Sequence, residues 1–254
     1  MKKIAVVPVY NEESTLPAVL DSLVSQLDLL VIVDDGSTDD SLRVARRRAA
    51  RENRLRVLQL RENRGMSAAL REGFLYLVAL HRAGELDSQD LVFTIDADGQ
   101  HDARQIDALA VHVRERNLDV ALTCRDFSLY PAHKRWGNRL MTLWGSLWSG
   151  FRYRDIESGF RAMRLRVLPA MMDYYTGYRY SCAQEIAVLT ARLGYRVDNE
   201  FRTVIQLYRS QTGLRDVIIN AALGAWAFVR WTFRRPLAAR PATARLASPA
   251  EDVP

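Results

Sequence analysis

The sequence contains little cysteine and no long apolar run. Its 254 residues include two cysteines, Cys124 and Cys182, and neither belongs to a Cys-x-x-Cys motif or a cluster of cysteine and histidine. This scarcity argues against a disulfide framework and a structural zinc site, and it fits a protein of the reducing cytoplasm. No uninterrupted apolar run reaches the roughly 18 residues that a membrane-spanning helix needs, so the chain is not expected to cross a bilayer.

The composition is that of a globular protein with a basic charge. Apolar residues make up 48% of the chain and charged residues 26%, which allows a large α/β domain with a substantial core. The formal net charge of +6 favours anionic partners such as phosphates, nucleic acid or an anionic membrane surface. No nucleic-acid-binding motif is present, and the basic residues cluster beside tryptophans, so nucleic acid is not expected among the partners.

Apolar runs and helical periodicity alternate along the first half of the chain. Five runs are predicted strands, over residues 4–9, 29–33, 56–60, 91–95 and 118–123. Residues at helical spacing follow each of the first four runs, which predicts crossover units and a mostly parallel sheet. Ligands bind at the carboxyl ends of the strands in such a sheet, and the polar clusters after strands one, two and four fall on that edge.

The second half of the chain is less regular. A helix is predicted over residues 181–194, and one or two edge strands within 197–207. The apolar segment 217–229 is either a helix packed on the main domain or a helix that lies along a membrane surface. We predict a main domain over 1–215, an amphipathic membrane-interface helix over 216–236 and a disordered tail over 237–254.

Residues 125–166 combine basic charge with tryptophan. This segment holds nine lysines and arginines against three acids. One predicted helix face carries Leu140, Leu143, Trp144, Leu147 and Trp148. Such a face suits either the protein core or a membrane interface, and the sequence leaves both interpretations open.

The densest polar cluster, Asp96-Ala97-Asp98-Gly99-Gln100-His101, directly follows the fourth predicted strand. Mg²⁺ and Mn²⁺ prefer carboxylate and carbonyl oxygens, and they keep coordination positions for substrate phosphates. Asp96, Asp98 and Gln100 therefore predict a site for Mg²⁺ or Mn²⁺ that holds a diphosphate. Alternatively, the two carboxylates begin a loop and cap the next helix.

Five polar motifs occur in an order that matches a known family. They are Pro8-Val9-Tyr10-Asn11-Glu12, residues 34–39, Asn63-Arg64-Gly65 through Gly73-Phe74, residues 96–101 and residues 155–161. Over roughly residues 3–215 the sequence resembles family 2 glycosyltransferases of the GT-A fold, most of all the dolichol-phosphate mannosyltransferase type and its bacterial polyprenyl-phosphate relatives. The resemblance implies a single Rossmann-like α/β GT-A domain with a C-terminal amphipathic helical segment.

The resemblance also implies a binding site for a GDP-hexose or UDP-hexose donor. The residues implied in nucleotide binding are Pro8, Tyr10, Glu12, Asp35, Arg64, Gly65, Asp96 and Ala97. Asp35 is expected to accept a hydrogen bond from the base, which suits uracil and guanine equally. Asp98 is implied as the surest metal ligand, with Asp96 and Gln100 completing the protein's share of the shell.

The catalytic residues that the resemblance implies are Asp98, Asp155, Glu185, Arg125, Arg135 and Arg209. The arginines are expected at the donor or acceptor phosphates, because the guanidinium fork binds two phosphate oxygens at once. Asp155 is expected to contact sugar hydroxyls or to orient the acceptor. Glu185 is assigned to orientation rather than proton abstraction, since a phosphate with a second pKa of about 6 is already mostly ionised at neutral pH.

The implied function is the inverting transfer of mannose or glucose from a nucleoside-diphosphate sugar to a polyprenyl phosphate. The enzyme is expected to act as a peripheral protein on the inner, cytoplasmic face of the cell membrane. One alternative is a family 2 enzyme that acts on a sugar hydroxyl or another soluble acceptor and uses Glu185 as a general base. Another is a non-catalytic protein that binds nucleotide sugars.

Overall fold

The computed structural model describes residues 1–127, 130–203, 214–233 and 245–246. Its strands are β1 Lys3–Val9, β2 Leu29–Asp34, β3 Leu55–Gln59, β4 Leu91–Thr94, β5 Val120–Leu122, β6 Cys124–Arg125, β7 Arg161–Arg164, β8 Val197–Asp198, β9 Arg202–Thr203 and β10 Arg245–Leu246. Its helices are α1 Leu16–Val24, α2 Ser41–Ala49, α3 Met66–Arg82, α4 Gln105–Glu115, α5 Ala132–Ser149, α6 Val167–Met172, α7 Cys182–Arg192 and α8 Leu214–Thr232.

The main sheet has the strand order β10-β3-β2-β1-β4-β7-β5-β8. Strands β3, β2, β1 and β4 are parallel, and so are β5 and β8. Strand β7 runs antiparallel to both of its neighbours. The α/β fold with a mostly parallel sheet and a C-terminal helix is therefore confirmed.

Two short pairings lie outside the parallel centre of the sheet. Strands β6 and β9 form a separate two-stranded parallel sheet. Strand β10 pairs antiparallel with the edge strand β3, although it falls within the segment 237–254 that was predicted to be disordered. The rest of that segment is outside the described residues.

The core consists of two layers, one on each face of the sheet. On one face, Val6 and Val33 pack with residues of α3, α6 and α7. On the other face, Val7 and Ile32 pack with residues of α1, α2 and α4. Helix α3 approaches the sheet closely at Gly73, where an added Cβ would lie 2.4 Å from Val6 Cγ1. This close packing holds the amino end of α3 at the carboxyl edge of the sheet.

Strand β7 was not predicted, because Arg161-Ala162-Met163-Arg164 lacks an apolar run. All four residues are nevertheless buried between β4 and β5. The antiparallel direction brings the turn before β7 to the carboxyl edge, where the Thr94 hydroxyl donates to the Gly159 carbonyl at 2.6 Å. The fifth motif is thereby placed beside the fourth.

Helices α5 and α8 both pack on α7. A Cβ added to Gly145 of α5 or to Gly224 of α8 would lie 2.6 or 3.3 Å from Gln184 Oε1 of α7. Since both helices turn these faces inward, their opposite faces lie together on the outer side of the helical layer. Within the described residues, every helix is too short or too polar to span a bilayer.

The outer side of this layer is apolar. We call it the α5–α8 face, and its exposed side chains are Trp136, Leu140, Leu143, Trp144, Leu147, Ile218, Trp226 and Phe233. The core interpretation of this stretch is wrong for Leu140, Leu143 and Leu147, which are 67%, 69% and 66% exposed. Of the five residues on the predicted helix face, only Trp148 packs against the core. Within residues 218–229, one face of α8 is buried, at Asn220 and Ala227, and the other is exposed, at Ile218 and Trp226.

Candidate active site

The first two motifs form one wall at the carboxyl edge of the sheet. The Asn11 side chain accepts a hydrogen bond from Thr38 N at 2.8 Å, with Asn11 in the left-handed region at φ 56°. The Glu12 amide donates to the Ser41 hydroxyl at 2.7 Å. These contacts hold Tyr10, which is 41% exposed, at the rim expected for the nucleotide.

Pro8 lies inside β1, where a missing N–H group usually costs a ladder hydrogen bond. Val6 O accepts from Ile95 N, whereas Val9 O accepts from Asp35 N on the opposite side. Successive residues of a strand direct their backbone groups to opposite neighbours, so the backbone nitrogen of Pro8 faces β4, as the Val6 carbonyl does. The pairing of β4 with β1 ends at Thr94, before it reaches Pro8. Proline is therefore accommodated where β1 and β4 diverge.

Asp35 binds the third motif. Its carboxylate is buried and accepts hydrogen bonds from Arg64 N at 2.8 Å and Gly65 N at 2.7 Å. The pKa of Asp35 is raised because burial outweighs these two hydrogen bonds. The main observed role of Asp35 is thus to position the loop before α3, and its bond to a base stays a prediction.

Gly65 is required by a close approach of two loops. It has φ 93°, and an added Cβ would lie 2.6 Å from Arg179 Cα. Between these loops is an open cavity of about 460 Å³, lined by Asn63, Arg64, Gly65, Ala68, Thr176, Gly177, Tyr178, Arg179 and Tyr180. The cavity joins the predicted nucleotide residues to a loop that the sequence did not single out.

Asp96 and Asp98 follow β4 at the same edge, as predicted. Asp96 is partly exposed, and its Oδ2 lies 3.2 Å from His101 Nε2. Asp98 accepts hydrogen bonds from Gln100, from the backbone N at 3.0 Å and from Nε2 at 2.5 Å. The Thr15 hydroxyl lies 2.7 Å from Glu12 Oε2 and 3.1 Å from the carbonyl of the buried Ala97. A third carboxylate, that of Glu12, is thereby held near the pair.

The negative charges of Glu12, Asp96 and Asp98 repel one another. The pKa of Asp98 is raised by burial and further by the charge of Asp96. The pKa of Glu12 is likewise raised by burial, and the charges of Asp98 and Asp96 contribute. Burial also acts on Asp96, but the His101 hydrogen bond and nearby cationic charge, including that of Arg161, outweigh it and lower the pKa.

This arrangement fits a divalent cation held by two protein carboxylates. Mutual repulsion between Asp96 and Asp98 is what a cation relieves, and Mg²⁺ or Mn²⁺ takes its other ligands from water and phosphate. Gln100 differs from expectation, because its amide nitrogen faces Asp98 and its oxygen can serve as a ligand only after the amide flips. In the part of the chain that the structure describes, no group of three or more His, Cys, Asp or Glu side chains is placed to hold a metal.

Arg125 and Asp155 pair with each other, which differs from their expected separate roles. Asp155 is fully buried, and it accepts from Arg125 Nε at 2.7 Å and Arg125 Nη2 at 3.0 Å. Asp155 is therefore engaged by Arg125, and its expected contact with sugar hydroxyls or the acceptor stays a prediction. Arg125 Nη2 also donates to Asn138 Oδ1 of α5 at 2.9 Å, and the guanidinium is 5.1 Å from the centroid of the Phe127 ring.

Glu185 is buried, and its expected role in orienting the sugar or the acceptor stays a prediction. Its side chain is fully buried, and it accepts from Thr176 N at 2.6 Å and the Ser181 hydroxyl at 2.5 Å. Arg230 Nη2 of α8 is 3.3 Å from Glu185 Oε2. The pKa of Glu185 is raised because burial outweighs these hydrogen bonds. Glu185 therefore ties α8 to the loop that lines the cavity.

Of the two remaining arginines expected at the substrate phosphates, the structure describes one. Arg135 is exposed on α5, near the start of the α5–α8 face. Arg209 lies outside the described residues, so its expected contact with phosphate stays a prediction.

Several residues of the site were missed from the sequence. Gly159 gives Asp96 its space, since an added Cβ would lie 2.1 Å from Asp96 Oδ2. Glu157 is held by Gln184 Nε2 at 3.0 Å. Both residues belong to the fifth motif, so the motif could have identified them as site residues. His101 ends the fourth motif and Thr15 follows the first, but their contacts depend on tertiary placement.

Comparison with known proteins places these motifs in a family. The model described as "Glycosyl transferase family 2" matches residues 4–187. An undecaprenyl-phosphate 4-deoxy-4-formamido-L-arabinose transferase of Pseudomonas syringae is 34% identical over 174 residues, covering 66% of this chain and 48% of the relative. The chain thus spans about half the length of that relative. An undecaprenyl-phosphate mannosyltransferase of Micrococcus luteus is 29% identical, over 88% of this chain and 91% of the relative.

Solved structures share the fold. Glucosyl-3-phosphoglycerate synthase of Mycobacterium tuberculosis in complex with UDP has a TM-score of 0.64 at 18% identity, covering 91% of this chain and 79% of that chain. The same enzyme with Mn²⁺, UDP and glucosyl-3-phosphoglycerate has a TM-score of 0.62 at 18% identity, covering 90% of this chain and 78% of that chain. At this identity the likeness concerns the fold.

Proposed function

The chain belongs to glycosyl transferase family 2, and on that premise we propose that it transfers a hexose from a nucleoside-diphosphate sugar to a polyprenyl phosphate. Two similar proteins bear the names of undecaprenyl-phosphate sugar transferases, and undecaprenyl phosphate is a polyprenyl phosphate. The transferred sugar is proposed to be mannose or glucose, carried by GDP or UDP. The reaction is proposed to be a metal-dependent single displacement with inversion.

The observation that carries this proposal is the exposed α5–α8 face beside a half-buried arginine, Arg125, whose side chain is 18% exposed. Asn138 of α5 receives a hydrogen bond from Arg125 at 2.9 Å, whereas Trp136 and Leu140 on the same helix are 69% and 67% exposed. An acceptor with a charged head and an isoprenoid tail needs a cation next to an apolar surface. A sugar or another soluble acceptor gives no reason to expose such a surface.

The same face supports peripheral attachment to a membrane. At the start of α5, Arg135 and Arg139 are exposed, and the Arg139 guanidinium lies 5.6 Å from the centroid of the Trp136 ring. Aromatic and arginine side chains of this kind suit the headgroup region of a bilayer. We propose that the face lies on the inner, cytoplasmic surface of the cell membrane.

On the donor side, Pro8, Tyr10 and Glu12 are proposed to form the nucleotide wall, with Asp35, Arg64 and Gly65 supporting the base. Asp96 and Asp98 would hold the cation, which supplies Lewis-acid stabilisation of the departing diphosphate. The lipid phosphate oxygen attacks the anomeric carbon as the bond from that carbon to the diphosphate oxygen breaks. The bonding electrons leave with the nucleoside diphosphate.

The burial of Glu185 favours a phosphate acceptor over a hydroxyl acceptor. A hydroxyl nucleophile needs a general base within reach of its proton, whereas a phosphate is already ionised near neutral pH. Glu185 is fully buried and hydrogen-bonded to Thr176 and Ser181. The candidate base is thus hydrogen-bonded within the protein, which supports a reaction that needs no general base.

Mass spectrometry of reaction products tests this proposal. Protein and Mn²⁺ are incubated with GDP-mannose, UDP-glucose and related donors, each with a short-chain polyprenyl phosphate or with phosphoglyceric acid. We expect a lipid-linked hexose with at least one donor and no soluble glycoside. A product formed only on the soluble acceptor contradicts the lipid assignment, and nucleotide-sugar binding without any product favours the non-catalytic alternative.

A further inference from the structure

Arg161 has no role in the proposed transfer reaction. It begins β7 opposite Thr94 of β4 and Leu122 of β5, at the carboxyl edge of the sheet. The residue is 2% exposed. Its Nε is buried and has no hydrogen-bond partner among the described residues, and its guanidinium forms no ion pair with any of them.

The surroundings of Arg161 connect it to the acidic end of the site. Its positive charge is among the causes that lower the pKa of Asp96, and it opposes the burial that raises the pKa of Glu157. Gly159, two residues after Glu157 in the chain, is in contact with Asp96. Arg161 therefore lies beneath the junction of the fourth and fifth motifs, close to both carboxylates but bonded to neither.

A buried guanidinium without hydrogen bonds is energetically costly. Removing a charge from water costs free energy that nearby charge only partly returns unless hydrogen bonds are also formed. The other buried arginine of β7 meets this requirement. Arg164 donates from Nε to the Leu118 carbonyl at 2.8 Å and from Nη1 to Gln89 Oε1 at 2.8 Å. Of the two arginines of β7, Arg161 is thus the one whose guanidinium is available to a bound ligand.

We propose that Arg161 is a phosphate-binding residue that donates hydrogen bonds to a phosphate group of a substrate. The planar guanidinium matches phosphate oxygens in a bidentate geometry, and it keeps its charge at any working pH. The phosphate belongs either to the donor's diphosphate or to the acceptor lipid. This inference rests on the proposed function for its choice of ligand, but its test measures binding and needs no transfer of sugar.

Thermal unfolding of two matched variants tests the proposal. Arg161→Met removes the charge and keeps an unbranched side chain, and Arg164→Met does the same at the other end of β7. Without ligand, we expect Arg161→Met to melt at or above the wild-type temperature, because an unpaired buried charge is lost. We expect Arg164→Met to melt at a lower temperature, because two satisfied hydrogen bonds are lost.

The probes are inorganic pyrophosphate and farnesyl phosphate, each without added metal. Loss of the stabilisation by pyrophosphate in Arg161→Met, with Arg164→Met still responding, assigns Arg161 to the donor's diphosphate. Loss of the response to farnesyl phosphate alone assigns it to the acceptor. Both responses retained in Arg161→Met overturn the proposal.

A second variant covers the case in which Arg161→Met does not fold. Arg161→Lys keeps the charge but loses the fork, so we expect about tenfold weaker binding of the probe in calorimetry, with folding unchanged. Equal affinity of Arg161→Lys and the wild-type protein for both probes contradicts a phosphate-binding role. Because neither probe carries a sugar, failure here is distinguishable from failure of the proposed transferase activity.

Discussion

Gly159 is the residue that sets the space for Asp96. A Cβ at this position would lie 2.1 Å from the Asp96 carboxylate, so only glycine leaves room for it. We expect Gly159→Ala to displace that carboxylate and to lower kcat/KM by about a hundredfold, since a misplacement of about 1 Å at a reacting centre has that effect. Steady-state kinetics with a saturating acceptor measure it.

Gly137→Ala is the matched control for this substitution. Gly137 is a helical glycine on α5, and an added Cβ would meet no atom within 4 Å. Alanine there should preserve activity and raise the free energy of unfolding by about 0.5–1 kcal/mol. Full activity of Gly159→Ala would show that the Asp96 position does not matter for the reaction.

Asp98 makes cation binding depend on pH. Burial, and then the charge of Asp96, raises the pKa of Asp98, so this side chain takes up a proton at a higher pH than an ordinary aspartate. A protonated carboxyl group binds cations poorly. As pH falls from neutral, we expect the affinity for Mn²⁺ to begin to fall above the ordinary aspartate pKa of about 3.9, while the protein stays folded. Isothermal titration calorimetry measures this change.

The control for the pH series is Asp102→Asn. Asp102 pairs with Arg104, and that hydrogen bond lowers the pKa of Asp102, so it stays ionised over the same range. The variant should reproduce the pH dependence of the wild-type protein. An Mn²⁺ affinity that does not change down to about pH 4 would mean that Asp98 is not a ligand.

The sequence predicted where individual site residues lie, but not which of them pair with one another. Asp96 and Asp98 stand where a strand gives way to a polar loop, which periodicity alone indicates. The bidentate pair of Arg125 with Asp155 joins residues 30 positions apart, and sequence does not say which charges neutralise one another. The sequence therefore predicted two free functional groups where the structure has one buried pair.

At the scale of elements, helix α5 presents a row of exposed leucines that suits a lipid surface. We expect Leu143→Glu, at a position 69% exposed, to weaken binding to anionic vesicles by about tenfold without lowering the melting temperature. Each apolar side chain withdrawn from lipid costs roughly 1.5–3 kcal/mol, and a carboxylate is also repelled by anionic headgroups. Vesicle sedimentation measures the partition.

Val111→Glu provides the control for charge alone. Val111 is 38% exposed, but it lies on α4, outside the α5–α8 face. This variant should bind vesicles nearly as well as the wild-type protein. Equal loss of binding in both variants would point to net charge rather than to the α5–α8 face.

The buried pair of Glu185 and Arg230 joins α8 to the loop over the cavity. The two side chains are 0% and 5% exposed and lie 3.3 Å apart. Arg230→Met should destabilise the protein by about 3–5 kcal/mol, because it leaves a buried carboxylate without its cation. Adding Glu185→Gln should recover part of this loss, since neither charge then remains. Urea unfolding of the two single variants and the double variant measures the coupling.

Acid should reduce the cost of Arg230→Met. The raised pKa of Glu185 means that this acid takes up a proton at a higher pH than an ordinary glutamate, and a neutral side chain no longer needs the arginine. A double variant whose loss equals the sum of the two single losses would show that the pair is not coupled.

At the scale of the whole molecule, the parallel half of the fold was predictable and the C-terminal layer was not. Apolar runs buried on both faces of a sheet are continuous in sequence, so β1, β2 and β4 stood out. Strand β7 carries arginines at both ends, and its burial between β4 and β5 depends on neighbours distant in sequence. The exposure of the leucines on α5 likewise depends on which face α7 covers.

The molecule as a whole places two different surfaces next to each other. The carboxyl edge of the sheet gathers carboxylates and backbone amides, which are proposed to bind a nucleotide and a cation. The α5–α8 face offers an apolar surface, and the contact of Arg125 with Asn138 lies between the two. An enzyme that joins a soluble donor to a lipid acceptor requires both surfaces.

The most direct test of this account follows a radiolabelled hexose between phases. The protein is incubated with the labelled nucleoside-diphosphate sugar, Mn²⁺ and undecaprenyl phosphate in detergent, and the mixture is extracted with butanol. We expect label in the organic phase only when the lipid is supplied, and none with Asp98→Asn. Label that remains in water with every donor, or that reaches the organic phase equally well with Asp98→Asn, would contradict the proposed transfer to a lipid phosphate.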